Sequence, residues 1–229
     1  MRKSIVILTA SLMALLFVSC TSTTKLNSFP GMYSEKPVVV LIMPPVNNST
    51  HVEAKDYFYS TLNVPLAEAG YYVLPPATTM ATLQRESAYD SELFIDGDIS
   101  KFGKLFGADL AVFTVIKSWE KSVLVSSVNI EIEYIFKSTK TNEVLYRRDA
   151  FITCDTSSSV RLGGMGLMGA LINATADAVK TAVTDYVDVA IMCNKVALSD
   201  IPAGKYSPKY DADQGETARL EKVRISTSK

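Results

Sequence analysis

From Ser127 to Phe136 the chain alternates without a break. Val128, Ile130, Ile132, Tyr134 and Phe136 hold one set of positions, and Asn129, Glu131 and Glu133 hold the other. A period of two belongs to a strand, and this strand has one dry face and one wet face. Earlier in the chain, Val38-Val39-Val40-Leu41-Ile42-Met43 runs apolar throughout and is closed by Pro44-Pro45. That pattern marks a strand buried on both faces. Both demands are met by an α/β fold in which a mixed sheet packs against helices and leaves part of one face to water.

The remaining pattern fills in this frame. Tyr71–Leu74, again closed by paired prolines, Leu110–Ile116 and Val144–Thr153 read as further strands, which makes about five in a single domain. A helix is expected from Val52 to Ala69, with Tyr57, Phe58, Leu62 and Leu66 on its apolar side and Gly70 as its stop. Pro65 should kink or split it. Thr78–Ala88 and Ile99–Phe106, the latter ending at Gly107, suggest two more helices. A long closing helix is expected over Met168–Met192, where Ile172, Ala176, Val179, Val183, Val187 and Ala190 share one face. Early strands are joined through a helix and later ones as a meander, so the sheet should be mixed.

Composition then excludes several jobs. The chain has 229 residues, 48% of them apolar, enough to bury a core. Lys and Arg number 23 against 24 Asp and Glu, so no global basic field exists to hold nucleic acid. Three Cys and one His are too few for a zinc cluster or an iron–sulfur centre, and no cofactor or metal is expected.

The amino terminus points to the cell envelope. Met1-Arg2-Lys3 is followed by an apolar stretch from Ile5 to Val18 and then by Ser19-Cys20. This is a secretory signal, too short and wrongly flanked for a permanent span. A Cys directly after Ser19 resembles the bacterial lipobox, in which the thiol receives a diacylglycerol, although Phe17 stands where Leu is commoner. Cys20 is therefore the expected lipid anchor, and its acyl chains the link to the membrane. No acidic residue follows in Thr21-Ser22-Thr23-Thr24. The inner-membrane retention signal is thus missing, which favours the outer membrane with the domain facing the periplasm. The expected organisation is a signal peptide (1–19), a flexible tether (20–36), an α/β domain (37–204) and a mobile polar tail (205–229).

Three features invite chemistry. Gly164-Met165-Gly166-Leu167-Met168-Gly169 is a literal G-x-G-x-x-G, yet neither a preceding strand nor an acidic residue on a following strand supports dinucleotide binding. The fifteen uncharged residues between Arg161 and Asp177 are too few to span a bilayer. Leu162, Met165, Leu167 and Met168 are instead expected to form a partner-docking loop. His51 lies beside Asn47, Asn48, Glu53 and Asp56, but no nucleophile has a recognisable setting there, and a loop that caps the first helix explains Asn48, Ser49 and Thr50 equally well. Cys154 ends the fifth strand. A closing helix running back from it for about 25 residues would carry Cys193 ~37 Å along its axis. Two unpaired thiols are expected, with Cys193 shielded beside the sheet, unless a looping return before the helix brings them together.

Longer blocks carry a resemblance. Pro44-Pro45-Val46-Asn47-Asn48, Ala54 through Leu62, and Val64 through Pro75 resemble a family of bacterial lipoproteins of unknown function, typified by a genome-derived neisserial antigen lipoprotein. Phe106-Gly107-Ala108-Asp109 and Pro202-Ala203-Gly204-Lys205-Tyr206-Ser207-Pro208 are similar to it too, so the resemblance covers about residues 37–208. Ala69 departs from the basic residue expected there. The resemblance implies an α/β domain similar to the periplasmic part of the curli secretion channel lipoprotein and to the amino-terminal domain of TolB. It also implies company with a curli-channel-like lipoprotein and a small companion lipoprotein, and it carries over no catalytic residue. The expected function is a non-catalytic accessory or assembly component of an envelope transport or secretion complex. The rival readings are a membrane-inserting channel subunit and a periplasmic hydrolase, and homo-oligomerisation stays open.

Overall fold

In the computed structural model the described residues are 23–122, 127–155 and 186–228. The elements run α1 (Lys25–Ser28), α2 (Pro30–Glu35), β1 (Val39–Ile42), β2 (Val46–Asn47), α3 (Ala54–Thr61), α4 (Asn63–Glu68), β3 (Tyr72–Val73), α5 (Pro76–Arg85), α6 (Glu92–Ile95) and α7 (Ser100–Phe106). Then come β4 (Leu110–Ser122), β5 (Ser127–Ser138), β6 (Val144–Asp155), α8 (Tyr186–Ala197) and β7 (Lys222–Ser228). Among the described residues the strands form one mixed sheet in the order β3-β1-β4-β5-β6-β7, with β2 also paired to β4. The β1 strand is parallel to β3 and β4, β5 is antiparallel to β4 and β6, and β7 is parallel to β6.

All five expected strands are present, and the sheet is mixed as the two connection types require. Val40 and Ile42 enter one core with Leu110, Val112, Ile130, Ile132 and Tyr134, covered by Phe58, Leu62 and Leu66 and by Val189, Ala190 and Cys193 of α8. Leu41 enters the other, with Ala111, Phe113 and Ile135, under Leu83 of α5 and Phe102 of α7. The second helical layer is smaller than the first. Beyond it the outer face carries Lys117, which reaches Glu133 at 3.2 Å and Asp149 at 3.0 Å, and Arg147, which meets Glu133 at 2.7 Å. This is the wet face announced by the alternation in β5.

Local chemistry sets the helix ends. Pro65 sits in the first turn of α4, where its missing N–H is not needed, so the expected long helix divides at Leu62 rather than bending. Gly107 closes α7 in the left-handed region at φ 66°, and its N–H donates to the Gly103 carbonyl at 3.0 Å. The closing helix is described only over Tyr186–Ala197, and its expected earlier turns lie outside the described residues.

Three expectations are corrected. The stretch read as a flexible tether is ordered from Thr23 onward: α1 and α2 bury Phe29, Met32 and Tyr33, with the Phe29 ring 4.7 Å from Tyr146. These apolar residues recur at helical spacing, but surrounding Ser, Thr, Asn and Pro hide the period. The tail expected to be mobile supplies β7, which pairs with β6 from Asp149↔Lys222 to Asp155↔Ser228. There Val223 and Ile225 pack on the core while Arg224 lies over the Phe151 ring at 4.8 Å. The expected wide separation of the cysteines also fails. Cys193 lies two turns into the described helix, over the end of β6, and its Sγ is 3.4 Å from that of Cys154. It is shielded beside the sheet as expected, but beside the other thiol.

The two ends of the described chain are clasped together. Lys25 Nζ donates to Asp213 and Glu216, each at 2.9 Å, and Tyr33 Oη donates to Asp213 at 3.0 Å. Burial works to lower the Lys25 pKa, but these two carboxylates raise it overall. Hydrogen bonds from Lys209 and Lys25 hold Glu216 down at about 2, against an ordinary 4.5. Glu216 is depressed, so its contribution is present above pH 4.5 and is lost as pH falls through about 2; Lys25 is raised, so its own fades only above pH 10.5. Glu216 is partly solvated, which limits the effect to under about 1 kcal/mol. Melting curves between pH 5 and pH 2 should therefore fall less steeply for Glu216→Gln than for the unaltered protein; parallel curves would exclude a role for this carboxylate.

Candidate functional site

A cleft of about 690 Å³ opens at the carboxyl ends of β1 and β2. It lies where the chain leaves the sheet for opposite faces, through α3 on one side and α5 on the other. In open sheets with parallel strands this is the position of ligand crevices. Pro44 and Pro45 form the floor beside Val46 and Asn47; Lys55, Asp56 and Tyr59 come from α3; Met80 and Gln84 come from α5. Tyr89, Asp90, Ser91 and Glu92 close the rim, and Ser91 Oγ pins that turn by donating to the Pro44 carbonyl. Tyr59 Oη donates to the Pro76 carbonyl at 2.9 Å, which fixes its ring as a wall. Three carboxylates face one lysine here, so the cleft suits ligands with apolar surface and cationic groups.

His51 stands on the loop between β2 and α3, next to that cleft. Its ring stacks on Trp119 at 5.1 Å between centroids and meets Tyr186 edge-on at 5.2 Å. Nδ1 is 3.8 Å from Glu53, and Nε2 is buried without a hydrogen-bond partner among the described residues. The neighbouring polar groups are occupied in shaping the loop. Asn47 Nδ2 donates to the His51 carbonyl at 2.8 Å, and Ser49 Oγ donates to Asn47 Oδ1 at 2.7 Å. Asn48 N–H donates to the Ile116 carbonyl at 2.8 Å. Glu53 stands at the N-cap of α3 and no side chain caps that helix, so the expected capping by Asn48, Ser49 and Thr50 is not found; Ser49 Oγ instead bonds within the loop, to Asn47. Among the described residues no three His, Cys, Asp or Glu side chains gather as metal ligands, and no helix is long and apolar enough to cross a membrane.

The motif blocks meet where segments far apart in sequence cross. Gly70, at φ 93°, lies against Ser207, and a Cβ built there would come within 2.3 Å of the Ser207 nitrogen. Gly204 N–H donates to the Ala69 carbonyl at 2.8 Å, and Tyr71 Oη donates to the Pro202 carbonyl at 2.7 Å. Asp109 accepts the Val38 and Val39 N–H groups, both at 3.0 Å, and pairs with Lys140 at 2.8 Å. Burial would raise its pKa, but these donors hold it below the ordinary carboxylate value. In these blocks Asn47, Gly70, Tyr71, Asp109 and Gly204 hold the frame.

Periodicity did not reveal the cleft, because its walls come from four separate segments. The residue pairs Asp56–Tyr59 and Met80–Gln84, each one helical turn apart, were the available signal. Cys20 and the expected docking residues Leu162, Met165, Leu167 and Met168 lie outside the described residues, as does the glycine motif Gly164–Gly169.

A curated relative, "Putative lipoprotein NMB1124/NMB1162" of Neisseria meningitidis serogroup B, is 25% identical over 178 residues, 76% of this chain and 81% of that one. The crystal structure of lipoprotein GNA1162 from Neisseria meningitidis is similar at a TM-score of 0.47 and 23% identity, covering 62% of this chain and 98% of that one. The C-terminal domain of LpoB from Escherichia coli is similar at a TM-score of 0.36 and 14% identity, covering 55% and 95% respectively. The family pattern described as "Putative lipoprotein GNA1162-like" matches residues 29–204, so this chain belongs to the GNA1162-like lipoprotein family.

Proposed function

We propose that the protein is an outer-membrane lipoprotein, anchored through Cys20 and facing the periplasm, that serves as a non-catalytic accessory or assembly component of an envelope transport or secretion complex. The family match over residues 29–204 is the observation that carries this reading. The lipobox-like Phe17-Val18-Ser19-Cys20 supports the anchor, and the absent acidic residue after Cys20 supports the outer membrane. The geometry around His51 supports a binding role over turnover, because the polar groups beside it are spent on the loop itself. The proposed partners are a curli-channel-like lipoprotein and a small companion lipoprotein, engaged in part through Leu162, Met165, Leu167 and Met168.

The test has two parts. Cys20→Ala should release the protein from the membrane fraction or leave its signal uncleaved; unchanged retention with normal cleavage would defeat the anchor. Capture of the tagged full chain from detergent-solubilised envelopes, with mass spectrometry of what co-purifies, should recover envelope transport components. Recovery of the chain alone under mild detergent would count against an accessory role.

A further inference from the structure

The two cysteines of the described chain meet each other. Cys154 and Cys193 are each fully buried, with their Sγ atoms 3.4 Å apart. Their approach is set by neighbours rather than by the sulfurs. Cys154 sits opposite Val128 near the end of β6, a register fixed by the β5–β6 ladder. Cys193 is beside Asn194, whose Oδ1 accepts from Tyr134 Oη at 2.6 Å and whose Nδ2 donates to Thr61 Oγ1 at 2.9 Å. Those bonds fix the rotation of α8 about its axis and so aim Cys193 at the sheet. Bridging requires the sulfurs to close from 3.4 Å to ~2.05 Å, a shift within reach of small side-chain rotations.

We propose that Cys154 and Cys193 are joined as an intramolecular disulfide in the mature protein, formed by exchange with a disulfide oxidant of the envelope. The proposal rests on the envelope location put forward above, since such bonds persist in oxidising compartments. In the first step the Cys154 thiolate attacks one sulfur of the oxidant's disulfide, giving a mixed disulfide and releasing the other sulfur as thiolate. The Cys193 thiolate then attacks Cys154 Sγ, forming the new bond and expelling the oxidant's remaining sulfur. Two electrons pass to the oxidant, and the two protons given up by the cysteines end on its thiols. Neither sulfur is open to a protein oxidant once α8 covers the sheet, so exchange belongs to folding, before that helix docks. The closed bond fastens α8 to β6 across 39 positions of sequence.

The experiment uses the full chain from envelope fractions, alkylated at lysis and digested without reductant. A linked peptide pair carrying Cys154 and Cys193, split by reductant, is the expected result. Melting in the presence of reductant should fall by roughly 10 °C. The Cys154→Ser/Cys193→Ser variant should melt at the same temperature with or without reductant. Alkylated Cys154 and Cys193 in the envelope sample, or a bridge from either to another chain, would overturn the proposal. A second arm separates the reasons for such a failure. Reduced full chain is refolded with oxidised glutathione, and a Cys154–Cys193 bridge formed there would fault the location, whereas free thiols there would fault the geometry.

Discussion

Replacing Asp200 with alanine is expected to cost about 3–5 kcal/mol, a large part of the ~5–15 kcal/mol that holds a domain together. Arg148 is fully buried, and its Nη2 donates to both Asp200 oxygens at 2.8 Å. Nε donates to Tyr146 Oη at 2.9 Å, and Nη1 donates to the Leu220 carbonyl. Asp200 also accepts the Arg219 N–H at 2.7 Å, so one carboxylate joins β6, the end of α8 and the approach to β7. Alanine removes the charge and leaves the buried guanidinium without its anionic partner. Urea unfolding of Asp200→Ala should show a much lower midpoint at unchanged slope. A paired replacement, Arg148→Met with Asp200→Leu, should recover much of the loss, because the ion pair costs desolvation on both sides. A loss under 1 kcal/mol in the single variant would mean that the cation finds another partner.

Gly70→Ala is expected to cost about 3 kcal/mol or more. Two effects add. At φ 93° an L side chain is strained on its own account, and the new Cβ would meet the Ser207 nitrogen at 2.3 Å and its Cα at 2.8 Å. The obstacle is backbone, so no rotamer change relieves it. Gly204 shows the converse contact, with the Gly70 carbonyl oxygen 2.5 Å from its own Cβ position. The loss should be read in the midpoint of thermal or urea unfolding. Gly107→Ala makes a suitable contrast, since φ there is 66° with nothing within 4 Å of the added carbon. That variant should lose only the conformational part, and equal losses at both sites would show that the Ser207 crossing yields easily.

What could be read from residues depended on how far the relevant forces reach along the chain. Val38–Met43 and Ser127–Phe136 announced their strands because burial on two faces or on one leaves a local period. Pro65 announced a helix boundary because its effect is covalent. The β2 strand is two residues long and offers no period at all. In β7 the inward residues Val223 and Ile225 are interleaved with Arg and Ser, so composition hid the alternation. The helical trio Phe29, Met32 and Tyr33 was masked in the same way. Motif blocks around Gly70 and Pro202–Pro208 were visible as a resemblance, yet their shared purpose emerged only where the two segments cross. The cysteine contact depends on the path taken between β6 and α8, which spacing does not encode.

If Cys20 carries the lipid, as proposed, the clasp between the ends of the described chain limits how far this domain can stand from the membrane. Eighteen free residues between Cys20 and β1 could span roughly 60 Å at full extension. With α1 and α2 fastened to the body by Lys25 and Tyr33, the contour between Cys20 and the ordered chain at Thr23 shrinks to about 10 Å. A domain anchored on so short a leash would work at headgroup height, without sampling the full depth of the compartment. Any partner of the protein anchored in this way would have to come to the membrane, or be embedded in it already.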